Sequence, residues 1–202
     1  YMFAHHQLGR IELRNGMHEK ALRHFRDAQT LPRNLEAGLW SETWLVPHQI
    51  YEAQCLEALG RKDDSLPIYR HILEFEIEYF SNMHLPELPV YQARALQAMG
   101  QFARAERILR DCLRRWNQAL REESGGFFTT TPFFISYIDQ EQQARTGHFK
   151  YLTAKAKLAL GDVKGAMEDL RTSQANDPAK LPAWMDLKDL QEEEHQFTTE
   201  FN

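Results

Sequence analysis

Apolar and small residues recur along the chain at helical spacing, in segments punctuated by glycine, and four of these segments share one arrangement. Each is a helix pattern ending in glycine, a few polar residues, and a second helix pattern with a small residue near its start. They read LGRIELRNGMHEKALRHFRDA, AQCLEALGRKDDSLPIYRHI, ARALQAMGQFARAERILRDC and AKAKLALGDVKGAMEDLRTS. The punctuating glycines, Gly16, Gly60, Gly100 and Gly161, stop the first helix of each. Seven residues before them stand Gly9, Ala53, Ala93 and Ala154, and five residues after them Ala21, Ser65, Ala105 and Ala166. Small residues at both places let two antiparallel helices approach closely. Four residues further on, Phe25, Tyr69, Leu109 and Leu170 fill the space beside that contact.

The periodicity predicts helices over 2–14, 18–31, 36–45, 48–59, 63–80, 87–99, 102–121, 141–160, 163–175 and 180–195. Between the second and third of the long helices, LPRNLEAGLWSETWLVPH sets Trp40 and Trp44 four residues apart, on one face of a short helix. The segment SNMHLPELP ends an extended helix near Phe80 with two prolines. The segment REESGGFFTTTPFFISYIDQ holds Gly125, Gly126 and Pro132, which argue against continuous helix, and Thr129 to Thr131, which favour an extended path. In the last helix Leu181, Trp184, Leu187 and Leu190 share a face, with Glu192, Glu193 and Glu194 beyond, as in a cap that covers the end of a helical array and meets water.

The four-fold pattern resembles the tetratricopeptide repeat, a helix hairpin of about 34 residues. That family has small residues at its eighth and twentieth positions, often glycine at the fifteenth, and a large apolar residue at the twenty-fourth. Asn176-Asp177-Pro178 adds proline at the family's thirty-second position in the fourth repeat. The family's signature Trp and Tyr of the first helix are mostly missing, so the likeness rests on small-residue spacing. It implies an all-α fold, a right-handed α-solenoid of four hairpins at about 2–33, 46–79, 86–119 and 147–180, in a single domain of residues 1–202. Insertions fall at about 34–45, 80–85 and 120–146, and a capping helix at about 180–195. FSNMHLPELP and GFFTTTPFFISYI are further similar to the C-terminal repeat region of large bacterial and fungal proteins with an upstream mutarotase-like β-sandwich. That likeness implies that any sugar chemistry belongs to the upstream domain.

Composition agrees with helix: 44 residues are Leu or Ala and only 11 Val or Ile among 202. A hydrophobic share of 43% can supply a core, which excludes general disorder. The net charge of −5 gives no basic footprint for nucleic acid or an anionic membrane. The longest uncharged stretch, 124–138, is too short and too broken to cross a bilayer, so no membrane partner is expected. Cys55 and Cys112 lie in helical patterns without a CxxC pair, as small buried thiols do, and a reducing, cytoplasmic location is expected. The chain begins at Tyr1 with a helical pattern already running at Phe3, and an excised piece of a longer protein is expected.

Candidate chemistry is thin. The histidines include His5-His6, His18 and His24, yet no HExxH motif accompanies them; no metal site and no cofactor are predicted. Glu36, Glu42, Glu87 and Asp139 in the insertions are the carboxylates available to act on a sugar. No activated nucleophile or phosphate-cradling loop joins them, so no catalytic residue and no enzyme activity are assigned to this domain.

The resemblance supplies a partner-binding surface, because the family's first helices line a concave face into which the ninth position points. Here that row is Arg10, Gln54, Arg94 and Lys155, three cations in an acidic chain, with His6 and Tyr151 added as contacts. It suits a carboxylate or acidic peptide, although it lacks the asparagines of the subtype that clamps chaperone tails. The bland alternative is a solvated face paired with Glu57 or Gln97. Phe127, Phe128, Phe133 and Phe134, with Tyr137, either pack back on the helices or dock a neighbour. The expected function is a non-catalytic module for protein–protein or interdomain contact, its partner a protein, a peptide or an upstream domain. The alternative is an accessory helical domain that completes a carbohydrate-active site with that upstream domain.

Overall fold

A computed structural model of the chain describes residues 1–30, 32, 41–78, 85–122 and 138–200, with side chains throughout except at 138–141, 193 and 195–200. Among these residues lie nine α-helices: α1 (Met2–Arg14), α2 (His18–Asp27), α3 (Val46–Ala58), α4 (Lys62–Ile72), α5 (Leu88–Ala98), α6 (Phe102–Arg121), α7 (Ile138–Ala159), α8 (Val163–Asn176) and α9 (Leu181–Glu200). Successive helices pack as hairpins, α1 on α2, α3 on α4 and α7 on α8, and neighbouring hairpins meet through α2 on α3 and α4 on α5. The helices fall into two compact units, Tyr1–Ile108 and Leu109–Asn202, divided within α6. No helix among the described residues is long and apolar enough to cross a membrane.

The four punctuating glycines share one backbone device. Gly16, Gly60, Gly100 and Gly161 have φ of 71°, 75°, 75° and 85°, the left-handed region that an L side chain rarely adopts. Each is followed by an N–H that reaches back five residues: Met17 to Glu12, Arg61 to Leu56, Gln101 to Leu96 and Asp162 to Lys157. That bond satisfies a carbonyl the ending helix leaves open and reverses the chain into the next helix.

In the first unit, Ala21, Leu22, Phe25, Cys55 and Leu56 form one apolar cluster. Val46, Ile50, Ala53, Tyr69, Ile72, Leu85, Leu88, Tyr91 and Ala95 form a second, and Tyr51 and Ile68 pack against both. The small position at Gly9 sets the spacing of the first hairpin, since a Cβ there would stand 2.8 Å from the Phe25 ring. Over its described part, the short helix expected at 36–45 is a 3-10 turn, Glu42–Leu45; its residues 36–40 lie outside the described residues. Ser41 accepts from the Thr43 N–H at its start, and the Thr43 hydroxyl accepts from the Leu85 N–H at 3.1 Å, tying the turn to the entry of α5.

Two helices depart from their expected form. α4 ends at Ile72 instead of continuing towards residue 80. From Phe75 to Glu78 apolar and acidic residues alternate, and their burial alternates with them, a period of two that a helix cannot present to one face. The buried Gln92 amide donates to the carbonyls of Ile72 and Phe75 at 3.0 and 2.7 Å and so closes the end of α4. In α9 the expected apolar stripe is buried only in part: Leu187 is buried and Leu190 half-buried, but Leu181 and Trp184 are each 50% exposed, and Ala183, Asp186 and Asp189 are buried beside Leu187. An ion pair from Asp186 to α7, described below, sets that rotation.

The second unit contains a close approach at Gly147 on α7. A Cβ there would lie 2.6 Å from the Asp177 Cβ, 3.1 Å from the Asp177 N and 3.2 Å from the Ser173 O. The Ser173 hydroxyl also donates to the Gly147 carbonyl at 2.7 Å. Gly147→Ala is expected to destabilise this unit, because overpacking against backbone costs about 1 to 3 kcal/mol and exceeds the roughly 0.5 to 1 kcal/mol of helix preference that alanine adds. Urea unfolding followed by circular dichroism reads the sign; a stabilised variant would show that α8 can yield.

Candidate functional site

In the first unit the residues named from sequence lie on α1, α3 and α5. Arg10 and Gln54 are half-buried, and His6 is buried. The His6 ring packs nearly perpendicular to Phe25 and Tyr51 at centroid distances of 5.5 and 5.2 Å, and Phe25 stacks on Tyr51 at 5.1 Å. The Arg94 guanidinium carbon stands 4.9 Å from the Tyr51 ring centre and 5.9 Å from that of Tyr91. A guanidinium held on aromatic faces is attracted by their quadrupoles yet keeps its N–H donors directed outward from the rings. His6, Tyr51 and Arg94 thus form a continuous contact across three helices.

Beneath that contact His6 and His48 face each other, Nδ1 to Nδ1, at 3.0 Å. Burial pushes the His48 imidazole down to about 4, so at neutral pH it is uncharged and one ring donates to the other. The nearby Tyr69 hydroxyl is pushed up by burial first and by Glu57 second, with Arg94 opposing. Tyr51, Tyr91 and His48 were not among the expected contacts. Tyr51 and Tyr91 each stand nine residues before a punctuating glycine, so superposing the segments on that position as well would have found them.

Lys155 and Tyr151 lie in the second unit. Lys155 on α7 donates to Asp186 on α9 at 3.0 Å, with side chains only 11% and 5% exposed. Tyr151 is buried, with the Lys155 and Lys180 ammonium groups 5.8 and 5.4 Å from its ring centre. A second buried carboxylate, Asp169, accepts from Lys150 at 2.8 Å and Thr153 at 2.9 Å and pairs with Lys157. Burial raises its pKa, but those donors outweigh burial and hold it below the usual carboxylate range.

At the end of the first hairpin away from Gly16, His5 on α1 meets His24 on α2, Nδ1 to Nδ1, at 3.2 Å. Asp27, one turn beyond His24, places an oxygen 3.7 Å from the His5 Nδ1. Of the carboxylates considered for sugar chemistry, Glu42 is exposed in the 3-10 turn and Glu87 is half-buried before α5. Glu36 and the Asp139 side chain lie outside the described residues, as do Phe127, Phe128, Phe133, Phe134 and Tyr137.

A family model described as tetratricopeptide repeat matches residues 2–27 and 90–111. The first match covers the α1–α2 hairpin, and the second runs from α5 into the first half of α6. A search of curated proteins finds no match to the chain.

Proposed function

We propose, on the premise that the chain carries tetratricopeptide repeats, that it is a non-catalytic helical-repeat module that binds an acidic segment of a partner protein. In this reading the hairpins stack as a right-handed α-solenoid whose first helices present Arg10, Gln54 and Arg94 to the partner. The observation that carries it is Arg94, which rests on Tyr51 and Tyr91 and has no carboxylate within ion-pair distance among the described residues. Lys155 contributes differently, since Asp186 of the chain's own α9 already receives its charge. The binding surface therefore centres on the first unit.

Fluorescence anisotropy with a panel of acidic peptides tests this reading. Binding should weaken as salt rises, and Arg94→Glu should cost tenfold or more, in keeping with roughly 1.5 to 3 kcal/mol for a hydrogen bond to a charged group. Gln54→Ala should cost less. Peptide binding indifferent to Arg94 would return the row to solvated surface.

A further inference from the structure

We propose that His5, His24 and Asp27 form a binding site for a divalent transition-metal ion of the zinc class. The site is assembled by the hairpin and not by a local motif. His24 and Asp27, three residues apart on α2, share a face, and His5 reaches them across the hairpin from α1. The close approach of Gly9 to Phe25 sets that distance: His5 lies one turn before Gly9, and His24 is the neighbour of Phe25. All three ligand atoms, one from each residue, lie within 4.8 Å of one another.

The spacing suits a small ion. With bonds of about 2.0 to 2.2 Å to imidazole nitrogen and carboxylate oxygen, a tetrahedral centre separates its ligand atoms by roughly 3.3 to 3.5 Å. Two edges of the trio, 3.2 Å between the histidine nitrogens and 3.7 Å from His5 to Asp27, bracket that value. The Asp27 side chain is 54% exposed and so free to close the remaining edge by rotating. Two imidazoles and one carboxylate select zinc, cobalt, nickel or copper over magnesium and calcium, which take oxygen ligands. Three protein ligands leave a fourth position for water or a donor from outside the chain. An ion there would pin α1 to α2 at the end of the hairpin opposite its glycine turn.

Isothermal titration of the full chain with zinc chloride tests the site, with cobalt(II) as a visible probe. One binding event is expected, together with the intense absorption of four-coordinate cobalt. His24→Gln and Asp27→Ala should each weaken zinc by at least the roughly 10- to 100-fold that even an outer partner of a metal ligand costs. His18→Gln, on the same helix but outside the trio, should leave affinity unchanged. Circular dichroism of each metal-free variant checks that it folds, and the half-exposed Asp27 supplies the reading if His24→Gln does not. Absence of a binding event in the wild-type chain, or equal affinity in wild type and Asp27→Ala, would overturn the proposal and leave the histidines as a hydrogen-bonded pair.

Discussion

Lys155→Ala is expected to destabilise the unit Leu109–Asn202 by about 3 to 5 kcal/mol, as removal of one partner from a buried ion pair does. Both side chains are nearly enclosed, and truncating the lysine leaves Asp186 buried without the ammonium that compensates it. Asp186→Ala should cost a similar amount from the other side. The double change Lys155→Met with Asp186→Leu removes both charges and keeps apolar volume between α7 and α9, so it should recover most of the loss. Urea unfolding of the four chains gives the comparison. Single variants that cost under about 1 kcal/mol would show that water reaches the pair and that it behaves as a surface ion pair. The same experiment separates two roles for this lysine: a binding defect in Lys155→Ala that tracks lost stability is not a defect of a peptide surface.

Lowering the pH from 7 to 4 is expected to remove about 3 kcal/mol from the stability of the unit Tyr1–Ile108 through His48. Its folded pKa, about 4, lies below the unfolded value of 6.5, so the unfolded chain takes up the proton first as pH falls. The contribution is complete above pH 6.5 and is lost progressively between 6.5 and 4. His48→Gln keeps an amide to hydrogen-bond His6 and removes the titration, so its stability should be flatter by that amount over the same window. His148, also held down to about 4 by burial and then by the Lys180 charge, acts in the same direction in the other unit. Native-state hydrogen exchange of the α3 amides isolates the first unit. An equally steep loss in His48→Gln would assign the acid sensitivity to another group.

The helix stops and the close contacts were legible from sequence for a local reason. A left-handed residue is strained for anything but glycine, and a helix crossing as tight as that of Gly9 on Phe25 excludes all but the smallest side chains, so both constraints leave their mark at fixed offsets. The end of α4 falls short of the expected residue 80 because the alternation from Phe75 to Glu78 breaks the helical period before the prolines are reached, and because the amide that closes the helix comes from Gln92, twenty residues from Ile72. The rotation of α9 was hidden in the same way. An apolar stripe predicts the buried face only when nothing stronger competes, and Lys155, thirty-one residues from Asp186, competes here. His5 and His24, nineteen residues apart, follow no ligand motif because a hairpin and not a turn unites them. Gly147 was overlooked since it sits inside a helix, where only the tertiary neighbour Asp177 gives it a reason.

The two cysteines of the chain fall one to each unit, Cys55 in the first and Cys112 in the second, both fully enclosed and unbridged. Enclosure, with Glu52 nearby, pushes the Cys55 thiol up to about 12, so in the native state it offers almost no thiolate to an alkylating reagent. Reaction at either sulfur then waits for the surrounding helices to part. When closing is faster than labelling, the alkylation rate reports the population of the open form; when labelling wins, it reports the rate of opening. Peptide mapping of the two labelled sites therefore gives each half of the molecule its own clock, and unequal clocks would mean that the halves open separately.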